Sequence, residues 1–367
     1  MTIPASVWEA AEVFRLPGSI SGIEAHGDGL IHDTYVVCVS AAGGPKRFIL
    51  QRINQRVFAN PVALMKNIEC VVHHIQERAT QSGRDPERAI AGMAQTADGA
   101  VLLQADGEAW RMFHYMEGTI TAGCAVGTSQ AYRIASTFGR FLDDLSDFPL
   151  HLLRDSLPGY RDTQLVLMKL WQTLDQDPWN RAKDVGAELA FIEARREQAL
   201  RLQQLQRSGQ LPLRAIHGDT KLNNVLLDIA TGHGVCAIDL DTVMPGLLLH
   251  DVGDCVREAL ISDPQQRESL QTHDLGIVEA LVSGFLSQLS ARLSELEIVN
   301  IVPAIRSITL ELGARFLADY LAGDLYFKTA HASENLQRAR QHFRLAQRIE
   351  RSESDLNSIV RRCECQR

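Results

Sequence analysis

Residues 216–254, IHGDTKLNNVLLDIATGHGVCAIDLDTVMPGLLLHDVGD, restrict the possible folds of this chain more than any other stretch. Two short apolar runs, Asn224–Asp228 and Val235–Asp239, flank the turn-rich connection Ile229–Gly234. β-Branched and apolar residues on either side of a Gly-containing turn predict a hairpin. Side chains capable of chemistry stand at both of its ends. His217, Asp219, Lys221 and Asn224 precede the first strand, and Asp239 and Asp241 follow the second. Antiparallel strands joined by a short turn bring those ends together. The fold must therefore accommodate a cluster of carboxylates, an amide and a lysine that is too polar for ordinary core.

The rest of the chain offers room for such a site. At 367 residues it can bury a sizeable core, and two lobes are the natural division. A hydrophobic content of 45% and a charged content of 22% are those of a globular protein. The net charge of −8 argues against a general nucleic-acid binder. No apolar stretch reaches the roughly 18 residues of a membrane helix. The start, Met1-Thr-Ile-Pro-Ala5, lacks the basic and apolar segments of a signal peptide. A cytoplasmic protein with no membrane or nucleic-acid partner is expected; oligomeric state has no signature here. Seven scattered cysteines, an odd number, read as reduced thiols. Cys363 and Cys365, on a charged tail, make a poor metal site.

In chain order, Pro4–Phe14 predicts a short helix that packs Val7, Ala11 and Phe14. Residues 22–34 read as turn-rich, leading into a strand at Tyr35–Val39. Gly27-Asp-Gly29, running on to Thr34, is either an ordinary turn or a loop whose backbone amides approach an anion. Arg47–Ile53 is the next strand. Leu64, Ile68, Val71 and Ile75 mark an amphipathic helix on which Glu69 reads as a solvated residue. Ala89–Ala94, Ala100–Gln104 and Ala109–Tyr115 read as further strands around Asp-Gly turns. Beyond Gly118 the pattern turns helical, at 129–145, 163–174, 187–206, 274–293, 301–321 and 332–352. On the last of these, Arg338, Arg340, Arg344 and Arg348 read as a solvated face. No internal repeat or low-complexity tract is present.

The loop before the hairpin resembles the kinase catalytic loop, in which an Asp is followed two residues on by Lys and five on by Asn. Here these are Asp219, Lys221 and Asn224, and Asp239 takes the place of that fold's metal-binding Asp. His217-Gly-Asp219, in place of His-Arg-Asp, looks like the aminoglycoside phosphotransferase and choline kinase family of small-molecule kinases. More narrowly, Leu50–Asn54, Val57-Phe58, Leu64–Ile68 and Ile238–Gly246 look like the N-acetylhexosamine 1-kinases. The resemblance implies an α+β, two-lobed protein-kinase-like fold. Residues 1–117 would form an N-lobe with an antiparallel, nucleotide-binding sheet. Residues 118–367 would form a mainly helical C-lobe with the catalytic loop and the acceptor pocket.

It also implies roles. Asp219 would be the catalytic base, touching the acceptor hydroxyl, and Lys221 would reach the γ-phosphate. Asn224 and Asp239 are hard oxygen ligands suited to Mg2+. Asp241 is either a further metal contact or a cap after the hairpin. ATP would lie against Gly27, Gly29, Thr34 and Gln51, with its adenine at the hinge that Phe113–Gly118 resembles, near Tyr115. Gln51 stands where kinases carry a phosphate-binding Lys. Either it serves as a neutral donor or a cation from elsewhere takes that role. His217 reads as structural. Asp251 reads as a helix N-cap and, by resemblance, as a brace for the loop, while Asp254 and Arg257 are candidates for lining the acceptor pocket.

Resemblance carries Arg315 and Tyr326 over as sugar contacts. The residues alone equally allow an ion pair from Arg315 to Glu311 or Asp319, four positions away, and core packing for Tyr326. The expected activity is ATP- and Mg2+-dependent phosphorylation of the anomeric hydroxyl of a small-molecule sugar, GlcNAc, GalNAc or a relative. Another small-molecule hydroxyl, on a different sugar, an amino alcohol or an aminoglycoside, is the alternative within that class. A non-catalytic nucleotide-binding pseudokinase and a metal-dependent hydrolase are alternatives outside it. Intact Asp219, Asn224 and Asp239 argue against the first, and the absence of a helical ligand pair against the second.

Overall fold

The computed structural model describes residues 3–27, 31–123, 127–261 and 267–365, so Gly29 of the glycine loop lies outside the described residues. The chain opens with helix α1 (Ala5–Val13) and three strands, β1 (Gly18–Ala25), β2 (Asp33–Ala41) and β3 (Gly44–Arg52). Helix α2 (Pro61–Gln81) follows, with Pro61 in its first turn and the Asn60 side chain accepting from the Ala63 amide. After α3 (Pro86–Ala89) come β4 (Leu103–Ala105) and β5 (Glu108–His114).

The strands form one antiparallel sheet in the order β1-β2-β3-β5-β4. Its register places Thr34, Gln51 and Arg111 side by side across β2, β3 and β5. Successive strand residues face opposite sides. Leu50 and Met112 pack with Val7 and Phe14 from the α1 region, so Gln51 and Arg111 point the other way.

Two expectations fail in this part. Residues 22–25, expected within a turn-rich stretch, belong instead to strand β1. Its Gly and Ser residues lie on the sheet edge, with only Ile23 buried, which leaves almost no hydrophobic alternation to read. Ala89–Ala94 is not a strand. Pro86 and the Asp85 cap start a turn of helix there, and Met93 makes only an isolated bridge to Phe113.

Strand β6 (Thr119–Thr121) begins the remainder of the chain. Helices α4 (Thr128–Asp144), α5 (Thr163–Gln176), α6 (Gly186–Glu193) and α7 (Arg196–Arg207) follow. The single helix expected over 187–206 is thus two, and beside the break Arg195 pairs with Glu350. Strands β7 (Arg214–Ile216), β8 (Val225–Asp228), β9 (Gly234–Ala237) and β10 (Met244–Gly246) carry the hairpin stretch. β8 and β9 pair as expected, β6 adds a third strand, and β10 pairs with β7.

The chain ends with α8 (Leu248–Ile261), α9 (Thr272–Leu289), α10 (Glu295–Val299), α11 (Ile301–Leu321), α12 (Glu334–Arg351) and α13 (Glu353–Cys365). α13 replaces the expected charged tail, with Cys363 buried and accepting a hydrogen bond from the Ser283 hydroxyl at 3.1 Å. Arg348 is buried against Asp274 at 2.9 Å, so the basic face of α12 is not wholly solvated.

The largest core runs from Leu64, Ile68 and Ile75 of α2 into Phe138, Val252 and Phe285 of the helical part. Helix α2 therefore fastens the sheet to the helices, and the polar site lies beside that seam. Among the described residues no helix is long and apolar enough to cross a membrane.

Candidate active site

The loop between β7 and β8 is shaped by its own backbone and by α8. Gly218 adopts a positive φ of 81°, and a Cβ there would sit 2.6 Å from the Thr242 carbonyl oxygen. Glycine is required at this position. Asp251, inside α8 and not at its cap, accepts from the amides of His217 at 2.7 Å and Gly218 at 2.8 Å. Burial pushes the Asp251 carboxyl up to about 6, against the opposing pull of His217 and those two amides. The Thr220 hydroxyl donates to the Asp251 carbonyl at 2.6 Å, closing the loop onto the helix.

His217 is buried with its ring edge-on to Phe138 and Phe141. Its Nδ1 accepts from the Asp219 amide at 3.3 Å, which leaves Nε2–H to donate to the Ile238 carbonyl at 2.9 Å. A neutral imidazole thus ties the loop to the end of the hairpin.

Within this frame Asp219 accepts from Lys221 Nζ at 2.9 Å. The Asn224 amide donates to the Asp219 carbonyl at 2.9 Å and to its carboxylate at 3.4 Å. Against burial, which opposes its charge, Lys221 is held well above its usual range by Asp219. The side chain of Lys221 nevertheless remains 41% exposed and reaches into the cleft.

Asp239 and Asp241 stand two residues apart in opposite situations. Asp239 has a left-handed backbone, φ 64°, and is exposed to the cleft. Among the described residues its carboxylate accepts no hydrogen bond. Surrounding protein atoms, then Asp241 and Asp219, push its carboxyl up, against the pull of Lys221 and Arg111. Asp241 is buried, and both its oxygens are engaged. Arg111 donates Nη1 to Oδ1 and Nη2 to Oδ2, the latter at 2.8 Å, while His32 Nε2 donates to Oδ2 at 2.6 Å. Burial would raise this carboxyl, but Arg111 and His32 hold it well below the usual range. His32 Nδ1 accepts the Asn54 amide at 3.0 Å, so the proton on Nε2 faces Asp241 and the ring is neutral.

Arg111 is 2% exposed and also donates Nε to Gln51 Oε1 at 2.9 Å. Gln51 in turn donates to the Thr34 hydroxyl at 3.1 Å. Glu69 of α2 points to solvent and pairs with Lys66, while Met65 faces Arg111. Gly27, with φ 68°, precedes the undescribed part of its loop, and the Arg47 guanidinium covers the Tyr115 ring at 3.9 Å.

A divalent cation suits this donor set. Asp239 offers a carboxylate that no described residue hydrogen-bonds, and the Asn224 side chain engages only its NH2, keeping its carbonyl oxygen available. Among the described residues no three His, Cys, Asp or Glu side chains group as a metal cage. Mg2+ commonly takes only one or two protein oxygens, with water and phosphates completing the octahedron.

Two residues that the sequence reading passed over, Tyr160 and Arg161, meet the Asp254 and Arg257 it had named. Arg161, at a left-handed φ of 61°, donates Nε and Nη2 to the Gly218 carbonyl at 3.2 and 2.6 Å. The Tyr160 hydroxyl donates to the same oxygen at 2.8 Å. Asp254 accepts from Arg161 Nη2 and from Arg257 Nε, each at 2.8 Å. Against burial, these two guanidiniums hold its carboxyl well below its usual range.

Arg315 makes neither of the ion pairs that spacing allowed. Glu311 accepts from Thr163 at 2.6 Å, and Asp319 accepts from the amides of Leu325, Tyr326 and Phe327. The Arg315 guanidinium instead faces Tyr160, Tyr326 and Phe327, at 5.1, 5.8 and 5.8 Å from the ring centres. Tyr326 is 45% exposed, so core packing does not account for it. Of the residues missed, only Arg111 carried a signal, a charge inside the apolar strand Ala109-Trp-Arg-Met-Phe113.

Residues 22–281 match the phosphotransferase enzyme family, APH, and the chain belongs to that family. Solved structures share the fold. An amicoumacin kinase in complex with AMP-PNP and Ca2+ is 14% identical, covers 92% of each chain and has a TM-score of 0.59. A microcompartment-associated aminopropanol kinase is 17% identical over 96% of this chain and 99% of that one, at 0.56. Choline kinase from Cryptosporidium parvum is 13% identical over 92% and 91%, at 0.54. The protein-kinase-like fold expected from the catalytic loop is therefore the fold observed.

Proposed function

We propose that this phosphotransferase moves the γ-phosphoryl group of ATP onto the anomeric hydroxyl of an N-acetylhexosamine, producing the sugar 1-phosphate. The observation that carries the reading is Asp219, held by Lys221 and Asn224 next to Asp239, whose carboxylate accepts no hydrogen bond among the described residues. Asp219 accepts the proton of the attacking hydroxyl, and Lys221 presents positive charge to the phosphoryl group in flight. Asn224 and Asp239 hold Mg2+, which when bound neutralises charge on the nucleotide phosphates. Residues 1–117 act as the nucleotide lobe, with Gly27, Gly29, Thr34 and Gln51 toward the phosphates and the Tyr115 backbone toward adenine. Residues 118–367 act as the acceptor lobe.

Arg315 supports the sugar acceptor. A guanidinium with no carboxylate partner among the described residues, walled by Tyr160, Tyr326 and Phe327, suits an N-acetyl carbonyl and ring hydroxyls against flat apolar faces. Similarity to the aminopropanol and choline kinases favours an amino-alcohol acceptor as a second reading. An ammonium group next to Arg315 would meet like charge, and Asp254 is already compensated, so the sugar is preferred.

The test is ADP release in the presence of Mg2+ with GlcNAc, GalNAc, other sugars, choline, aminopropanol and an aminoglycoside, with phosphorus NMR of each product. We expect an anomeric phosphate, and a rate lowered about 10²–10⁴-fold in Asp219→Asn. Turnover confined to an amino alcohol would discard the sugar reading and keep the phosphotransferase.

A further inference from the structure

We infer that Asp241 is not a metal ligand but the anchor of a buried tie, Arg111–Asp241–His32, that sets the position of Asp239 against the nucleotide-facing sheet. The part concerning metal rests on the proposed kinase reading; the tie itself does not.

Three observations carry it. Both oxygens of Asp241 are occupied, by a two-pronged guanidinium and by a neutral imidazole. Parallel N–H···O bonds of this kind fix orientation as well as distance. The donors come from the sheet side, Arg111 from β5 and His32 from the segment entering β2, whereas Asp241 follows the hairpin. The tie therefore crosses between the two parts of the molecule. Finally, its far end is fixed in turn. Gln51 holds Arg111 Nε, Thr34 holds Gln51, and the Asn54 amide holds His32.

Asp239 lies two residues from this anchor with its own carboxylate unengaged. A cation approaching Asp241 would have to enter a site only 5% exposed and compete for its oxygens with the charged Arg111 and with His32. The chain thus divides the labour of the Asp239-Leu-Asp241 segment, with one carboxylate free in the cleft and the other fixed to the sheet. Gln51, standing in the place of a strand lysine, becomes a link in the tie, and the positive charge of that region comes from the neighbouring strand. Asp241, Arg111 and His32 are positioning residues.

The test uses full-length protein, the variants Asp241→Asn, Arg111→Lys and His32→Ala, and the double variant Asp241→Asn/Arg111→Lys. Urea midpoints measured in EDTA without nucleotide read the tie alone. We expect all three single variants to lower the midpoint and the double variant to fall no further than the worse of its two singles. Independent, additive losses would overturn the tie, and so would a double variant that fails to fold where both singles fold. Mn2+ binding in the presence of AMP-PNP, followed by electron paramagnetic resonance, reads the metal. Two positioning residues should shift Mn2+ affinity in the same direction and to a similar extent. A tenfold loss in Asp241→Asn with no loss in Arg111→Lys would make Asp241 a ligand and overturn the inference. Should the unaltered protein bind no Mn2+, the kinase reading of Asn224 and Asp239 fails, while the EDTA cycle still decides the tie.

Discussion

Two buried arginine–aspartate pairs flank the candidate site, and they are built differently. Arg111 meets Asp241 with both terminal nitrogens, and its third donor goes to a side chain, Gln51. Arg161 meets Asp254 with one nitrogen only and donates twice to a backbone carbonyl, that of Gly218. The first pair joins residues 130 positions apart across the two parts of the molecule. The second stays within the helical part, and its guanidinium grips the peptide that leads into Asp219. Among the described residues Arg161 Nη1 has no hydrogen-bond partner, and it lies 3.8 Å from Glu311. The contrast separates two tasks. A two-pronged pair between side chains joins β5 to the segment after the hairpin, whereas a guanidinium that splits its donors between a carboxylate and a carbonyl grips the peptide of a loop.

Substitutions break the comparison at its strongest point first. Asp254→Asn removes the carboxylate that Arg161 and Arg257 share, leaving Arg257 with Glu258 at 2.7 Å and Arg161 with Glu311 at 3.8 Å. Removing one partner of a buried pair costs about 3–5 kcal/mol, so the unfolding free energy measured in urea should fall by that order. Asp241→Asn should cost less, because Arg111 then keeps its bond to Gln51 and a neutral acceptor at position 241. Equal losses would show that the two pairs do the same job.

Arg161→Lys sharpens the distinction. A lysine keeps the charge near Asp254 but cannot also hold the Gly218 carbonyl with two donors. A hydrogen bond to a charged group contributes about 1.5–3 kcal/mol, so kcat should drop roughly tenfold or more if that grip shapes the loop. KM for ATP should stay near its original value, since the Arg161 contacts lie on the acceptor side. A rise in that KM with kcat unchanged would move Arg161 out of the catalytic loop's support.

How much of this could be read in advance follows from distance along the chain. The β8–β9 hairpin and the Asp219, Lys221, Asn224 cluster lie within about two dozen residues, and local spacing exposed them. Helix α2 showed clear apolar repetition in Leu64, Ile68, Val71 and Ile75. The tie from His32 to Asp241 spans 209 positions and the grip of Arg161 on Gly218 spans 57, and no local pattern announces either. Asp251 was legible as a polar residue near a helix start, but its acceptance of two loop amides depends on how α8 docks. β1 escaped notice for a different reason. An edge strand with one buried residue has no alternation to display.

A different kind of effect, read in the pH dependence of stability, comes from a histidine beside the second pair. His342 is buried, with Nδ1–H donating to the Arg338 carbonyl at 2.8 Å and Nε2 without a partner. Burial first, and then Arg257, lower its pKa to about 3, so the folded protein keeps this ring neutral. The unfolded chain takes up a proton near pH 6.5. Between that pH and about 3 the unfolded state therefore binds more protons, and stability is lost as the pH falls. Each such histidine contributes a slope of about 1.4 kcal/mol per pH unit across that window. His250, likewise buried and lowered to about 3, adds a second slope of the same sign. His342→Gln keeps a donor for the Arg338 carbonyl without the titrating ring. Urea unfolding at pH 7 and pH 5 should show the original protein losing more stability on acidification than the variant, by about 2 kcal/mol. Above pH 7 the two slopes should coincide. Parallel losses down to pH 5 would mean that His342 takes up its proton in the folded state, which would require Asp254 to reach it past Arg257.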